Sequence, residues 1–402
     1  MPIIVAIFAV RQGGSSLFKP KDFRDKACVV GIGETTYSRK SGMTNMALQM
    51  TACARAIEDA GLKPSDIDGV LPQAMGLTAE DMATNLGIKD LRFSSSVSMG
   101  GASPCAAIQN AVLAVASGIC NYVLLVSGRN GYSGARTGAA ISPAGPMRTM
   151  FEFEYPYGLV VPMLWYGPIA RRHMHLYGTT SKQFAEVAIA ARKHAKMQKN
   201  AQMKDEKEIT LEDHQNSPLL ADPFRLLDCC LQTDGSAAAV ITTPERAKDL
   251  KRKPVYISGF AEAHPDSPSS TTQRPDITRF GVAKCADRVF EMAGMTRKDV
   301  DVAEIYDCFT FTVINQLEDI GFCKKGEGGA FVEGGRIQIG GELPVNTHGG
   351  LLSQGHIMGM NHVIEGVKQC RGASDVQVKD AEVSLVSGYG DFGDGALAIF
   401  RR

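Results

Sequence analysis

Residues 60–70 read AGLKPSDIDGV, and residues 293–303 read AGMTRKDVDVA. Each places Ala-Gly after a stretch with apolar residues at helical spacing, then a short polar turn, then Asp-x-Asp leading into an apolar run. Two more signals follow in the same order. LLVSG at 124–128 is answered by SLVSG at 384–388, and DGSAAAVI at 234–241 by DGALAIF at 394–400. Signals that recur in one order mark two copies of a single α/β unit, the first starting near Ala27 and the second near Pro254.

The gaps locate an insertion. Between Val-Ser-Gly and Asp-Gly the second copy has a short hairpin, Tyr389 to Gly393, whereas the first has a long excursion. We divide the chain into an extension (1–24), a first half (25–128 and 223–250), an inserted loop domain (129–222) and a second half (251–402). The insertion is rich in Pro, Tyr and Met, and on a rigid core it is a natural source of substrate-binding walls. ACVVGIG (27–33) and VYISGF (255–260) read as strands, and residues 46–61, 103–118 and 281–294 as helices, with Ser103-Pro104 as N-cap and N1. Apolar strands alternating with helices imply mixed or parallel sheets covered on both faces. Two such units with buried helices between them make a five-layer αβαβα sandwich.

Composition narrows the function. The 402 residues carry 43 Lys+Arg against 43 Asp+Glu and no block of one sign, so there is no footprint for nucleic acid or an acidic membrane. The ten Cys are scattered, apart from Cys229-Cys230, and form no C-x-x-C pair. A zinc site built by this chain alone is not expected, and scattered thiols read as reduced, buried and cytoplasmic. MPIIVAIFAV at the start lacks a charged n-region and is shorter than the ~20 residues of a membrane span. Residues 1–24 are expected to be loosely attached. Gly31-Ile32-Gly33 hints at a dinucleotide turn, but no third glycine stands at Thr36, so a tight turn is the simpler expectation.

EIYDCFTFT (304–312), PVNTHGGLLSQGH (344–356) and LVSGYGDFGDGALAIF (385–400) resemble the thiolase superfamily, over roughly residues 27–402. The branch they are most similar to joins sterol-carrier-protein-type thiolases and thiolase-like steroid side-chain aldolases. Laid on that family's pattern, Gly101 stands where the nucleophilic Cys would be, and Ser387-Gly388-Tyr389-Gly390 where its second Cys loop would be. Cys105, one helical turn beyond Gly101, reads as a core residue, and Cys308 as a bystander.

The resemblance also implies the site. His356 matches the family's base or hydrogen-bond donor. Tyr306, at the end of the strand VAEIYD beside Asp307, stands where the aldolase-like members carry Tyr and many thiolases His or Asn. At the His356 position those aldolase-like members carry Tyr, which is a departure here. His348 is expected either to touch substrate or to fix its loop. Backbone N–H groups at Gly101 and Gly390 are expected to hold an oxyanion, with Asn346, Gly350 and Tyr389 near substrate. His173, His175 and His194, with Arg171, Arg172 and Lys193, read as a solvated basic face or a contact to the phosphates of coenzyme A; no metal is expected.

Three functions follow as expectations. The first is thiolase-type (retro-Claisen) cleavage or formation of a C–C bond in a bulky 3-oxoacyl-CoA, without the usual Cys, coenzyme A being co-substrate and no cofactor covalently bound. The second is a retro-aldol lyase acting on a 3-hydroxyacyl-CoA. The third is a non-catalytic acyl-CoA-binding subunit. The resemblance further implies a homodimer and a zinc-ribbon/OB-fold partner protein, together forming a heterotetramer.

Overall fold

The Ala-Gly of each repeat closes a helix. In the computed structural model, which describes residues 19–73, 76–134, 148–267, 270–390 and 393–402, Gly61 ends α1 (Asn45–Ala60) and Gly294 ends α6 (Val282–Ala293), both in the left-handed region. The two acids of Asp-x-Asp then do different things, the same in both halves. The first closes the polar turn: Asp66 accepts from the Lys63 N–H at 2.7 Å, and Asp299 from Thr296 at 2.6 Å. The second ties down the start of a distant strand. Asp68 accepts from Asn121 and Tyr122 N–H, at the head of β4 (Val123–Asn130). Asp301 accepts from Glu382 and Val383 N–H, at the head of β10 (Val383–Tyr389).

The first half contributes β1 (Cys28–Glu34), β2 (Gly69–Leu71), β3 (Phe93–Ser94), β4 and β7 (Asp234–Thr242); the second contributes β8 (Val255–Ala263), β9 (Val302–Glu304), β10 and β11 (Gly395–Arg401). The strand order is β3-β2-β4-β7-β1-β8-β11-β10-β9. Read inward from either edge, 2-4-7-1 and 9-10-11-8 are the same order. Cys28↔Tyr256 and Val29↔Val255 join the halves into one mixed sheet, which bends so that its wings face each other.

Alternating side chains define the layers. Val29, Leu125 and Ala239 from one wing, and Val386, Ala398 and Phe400 from the other, enclose α3 (Ser103–Ala116) and α8 (Met360–Arg371). Val30, Val126 and Val240 pack outward on α1 and α2 (Ala79–Leu86). Leu385, Leu397 and Ile399 pack outward on α6 and α7 (Thr310–Ile320). The five-layer sandwich is therefore as the sequence predicts. The excursion between β4 and β7 holds α4 (Pro162–Tyr177), α5 (Ser181–Met197) and a hairpin of β5 (Leu219–Ala221) and β6 (Phe224–Arg225). Among the described residues no helix is long and apolar enough to cross a membrane.

Three local expectations change. Residues 1–18, most of the extension, lie outside the described residues, as do 391–392 of the short hairpin, but the extension's end is not loose. Arg24 donates to the Met292 carbonyl at 2.6 Å, capping the C-terminus of α6. Gly31 and Gly33 lie inside β1, not in a turn: a Cβ on them would stand 2.1 and 2.3 Å from the Ala56 and Ala52 carbonyls of α1. They let helix and strand touch. Finally, a 3-10 turn at Gly100–Ala102 precedes α3, so Ser103 is its first residue, with Oγ accepting from Met99 N–H at 2.9 Å.

One asymmetry positions the site. No strand pairs β9 on its outer side as β3 pairs β2, among the described residues. Instead Val345 bridges Ala303 in parallel, and Asn346 N–H donates to the Ala303 carbonyl at 3.1 Å. The loop 344–356 thus begins as an edge strand and then turns inward.

Candidate active site

Tyr306 stands two residues past the end of β9 and points toward the N-terminus of α3. Its Oη lies 3.4 Å from His356 Nε2, and both residues are nearly buried. Glycines flank the ring. A Cβ on Gly101 would stand 2.0 Å from Tyr306 Oη, and one on Gly359 2.9 Å from Tyr306 Cδ2. The phenol hydroxyl fills the space into which a side chain at position 101 would project. The first turn of α3 also presents backbone N–H groups and the positive end of the helix dipole here.

His356 is held from behind. Its N–H donates to Thr233 Oγ1 at 2.9 Å, and its Nδ1 lies 3.6 Å from Cys230 Sγ. Cys230 is itself laced to the site, donating its N–H to the Cys308 carbonyl at 3.0 Å. Burial, assisted by the charges of Arg129 and His362, pushes the His356 pKa down to about 3, while burial pushes the Cys230 thiol up to about 12. His356 is therefore a neutral imidazole throughout the physiological range. The sign follows: an unfolded histidine takes up a proton near 6.5, the folded one does not, so stability present above that value is lost as pH falls toward 3. His194, lowered to about 4 by burial, acts the same way. At about pH 5 each removes about 2 kcal/mol. We expect Tm to fall between pH 7 and about pH 5, while kcat/KM of the folded enzyme shows no inflection near 6.5. Such an inflection in the pH–rate profile would mean that His356 titrates freely.

Cys230 faces a cavity of about 360 Å³ that is lined by apolar groups, including Leu226, Leu231 and Leu352, together with Arg39 and Arg192. No carboxylate is among the described lining residues.

The other residues singled out from sequence form a supporting layer. Asn346 spends its amide on Ile305, accepting from its N–H at 2.7 Å and donating to its carbonyl at 2.8 Å. It fixes the strand end that carries Tyr306. Gly350 (φ 61) abuts the Asp307 carboxylate, which a Cβ would meet at 1.9 Å. That carboxylate accepts from Leu351 N–H at 2.7 Å and contacts His362 Nε2 at 3.1 Å, anchoring the turn that leads to His356. His348 is fully buried, 2.8 Å from Glu304 Oε2. Burial favours the uncharged form of both: it lowers the histidine's pKa and raises the carboxyl's. It fixes the loop. Tyr389 is buried in an aromatic wall with Tyr166 and Phe280. Gly390 donates its N–H to the Asp394 carbonyl at 2.8 Å, so this group is engaged in the turn and not turned to an oxyanion.

Cys105 is a core residue as expected, its Sγ 3.6 Å from the Val386 carbonyl. The reading of His173 and His194 as a solvated face is corrected: both are fully buried. His173 lies 2.9 Å from Glu318, and His194 accepts from the Ile339 N–H at 3.0 Å. Their grouping with Arg171, Arg172 and Lys193 in the sequence did not show which face of α4 and α5 the second half covers. Among the described residues no cluster suits a metal ion.

Known proteins match this arrangement along the chain. Residues 27–245 match the thiolase N-terminal domain, and residues 263–401 the thiolase C-terminal domain-like family. A 17-hydroxy-3-oxo-4-pregnene-20-carboxyl-CoA lyase of Mycobacterium tuberculosis is 41% identical over 90% of this chain and 96% of its own length. A steroid side-chain-cleaving aldolase of Thermomonospora curvata is 38% identical over 90% and 94%. The solved Ltp2-ChsH2(DUF35) aldolase superposes with a TM-score of 0.89 at 37% identity, covering 94% of this chain and 98% of that one. With matches to both of its domains and relatives of this identity, the chain belongs to the thiolase superfamily of enzymes.

Proposed function

We propose that this enzyme is a retro-aldol lyase acting on a 3-hydroxyacyl-CoA whose C3 belongs to a bulky apolar skeleton, as in the steroid side chains named for its relatives. The observation that carries the reading is the hydroxyl of Tyr306 standing where a side chain at position 101 would be. No nucleophile fits at the helix N-terminus, so the family's acyl-enzyme has no place to form there. The thiolase reaction, the leading expectation from sequence, gives way to the second one. In the proposed step the C3 hydroxyl loses its proton and the C2–C3 bond breaks. Its electron pair passes to a thioester enolate, and C2 takes up a proton. Neither water nor free coenzyme A is consumed. Tyr306 and His356 carry the proton, exchanging it across their 3.4 Å contact. N–H groups at the start of α3 stabilise the enolate oxygen. The apolar cavity, with Arg39 and Arg192 and no carboxylate among its described lining residues, suits an anionic acyl-CoA.

Incubation with such a thioester should release one ketone and one shortened acyl-CoA, with no acyl adduct on the protein by mass spectrometry. Two thioesters formed with consumption of coenzyme A would return the assignment to thiolase, and tight binding without turnover to a binding subunit. We also propose a homodimer that works with a second protein. The solved relative is a complex with a DUF35 protein, and the sequence expectation is a zinc-ribbon/OB-fold partner.

A further inference from the structure

The repeat places Ser387 and Ser127 at equivalent positions, each in Val-Ser-Gly, and aligns Tyr306 with Gln73. In both halves the serine reaches the residue just past the end of the neighbouring parallel strand. Ser127 Oγ donates to Gln73 Oε1 at 3.0 Å. In the second half the reach closes into a ring. Tyr306 N–H donates to Ser387 Oγ at 3.1 Å, Ser387 Oγ donates to Gln316 Oε1 at 2.8 Å, and Gln316 Nε2 donates to the Tyr306 carbonyl at 2.8 Å. Gln316 and Ser387 are buried, and Gln316 is held again by its Nε2 donating to the Thr312 carbonyl at 2.9 Å. β9 and its pairing with β10 end at Glu304, two residues before Tyr306. Side chains grip it: Ser387 and Gln316 through the ring, and Thr312 Oγ1 donating to the Tyr306 carbonyl at 3.2 Å.

We propose that Ser387 and Gln316 are positioning residues that aim the Tyr306 phenol at the reacting carbon and take no proton from substrate themselves. The direction of the bonds supports this. The Ser387 hydroxyl hydrogen is given to Gln316 and its lone pair to Tyr306 N–H, which leaves it no proton for the site. The position that the family resemblance assigns to a second cysteine has thereby become a support for the tyrosine. The inference rests on the role proposed for Tyr306, and the test separates the two.

The experiment is a double-mutant cycle of S387A with Y306F, read as kcat and KM on the 3-hydroxyacyl-CoA. S387A should lower kcat by about 10–100-fold with KM little changed, because a displacement of about 1 Å costs that much. In the Y306F background S387A should cost nothing more. Gln316→Met, which keeps the volume and removes both polar groups, should repeat this pattern and serves as a second route if S387A folds poorly. An equal loss in both backgrounds, or no loss in either single variant, overturns the clasp. Full activity of Y306F overturns the role of Tyr306 itself.

Discussion

Tyr306→Phe should lower kcat by about 10²–10⁴-fold, the usual worth of a positioned acid–base group, while the protein stays folded. The ring is packed between Gly101 and Gly359, and phenylalanine fills the same slot, so only the hydroxyl is lost. In a lyase this should exceed the loss from His356→Ala, because the hydroxyl is the group at the helix N-terminus and His356 acts through it. Steady-state rates of both variants, with circular dichroism as the check on folding, decide the order. A larger loss at His356 would favour thiol deprotonation and hence thiolase chemistry. Unchanged kcat/KM in both would remove this pair from the reaction.

The second large effect is expected at Gly101. Substitution by Cys puts back the residue type that the family carries there, yet it should abolish lyase activity without creating a thiolase. A Cβ at 2.0 Å from Tyr306 Oη forces the phenol to move by about 1 Å or more, which costs about 10²-fold or more in rate. Overpacking of this kind also costs about 1–3 kcal/mol of stability. Gly101→Ala should do the same with no thiol present, which isolates the steric cause. Rates for G101A and G101C, with thermal denaturation alongside, test this. Near-normal turnover in G101A would mean that Tyr306 does not need its present position.

Much of this arrangement was legible in the sequence, for identifiable reasons. The repeated Ala-Gly and Asp-x-Asp signals are local: a left-handed glycine and a carboxylate that caps a turn have the same neighbours wherever they occur. Tyr306, His356 and the missing nucleophile at Gly101 came from the family resemblance. What one chain could not show was their relation in space. Gly101 reads as an absence, and only the fold shows that Tyr306, from the other half, occupies the vacated room. Cys230 gave no signal beyond its neighbour Cys229, since its contact with His356 spans 126 positions. The same limit misplaced His173 and His194, whose covering layer comes from the second half, and it hid the engaged N–H of Gly390.

The filled place at Gly101 has a pharmacological side. Electrophilic acyl-CoA analogues built to capture the reactive thiol of a thiolase find no atom to alkylate at the start of α3. The nearest thiol along that helix, Cys105, is buried against the Val386 carbonyl, and burial raises its pKa. The thiol beside the pair, Cys230, lies 3.6 Å from His356 Nδ1, and burial pushes it up to about 12, far from the thiolate that such reagents need. A selective inhibitor of this enzyme would instead bear an oxyanion or enol that displaces the contact between Tyr306 and His356, a non-covalent pharmacophore.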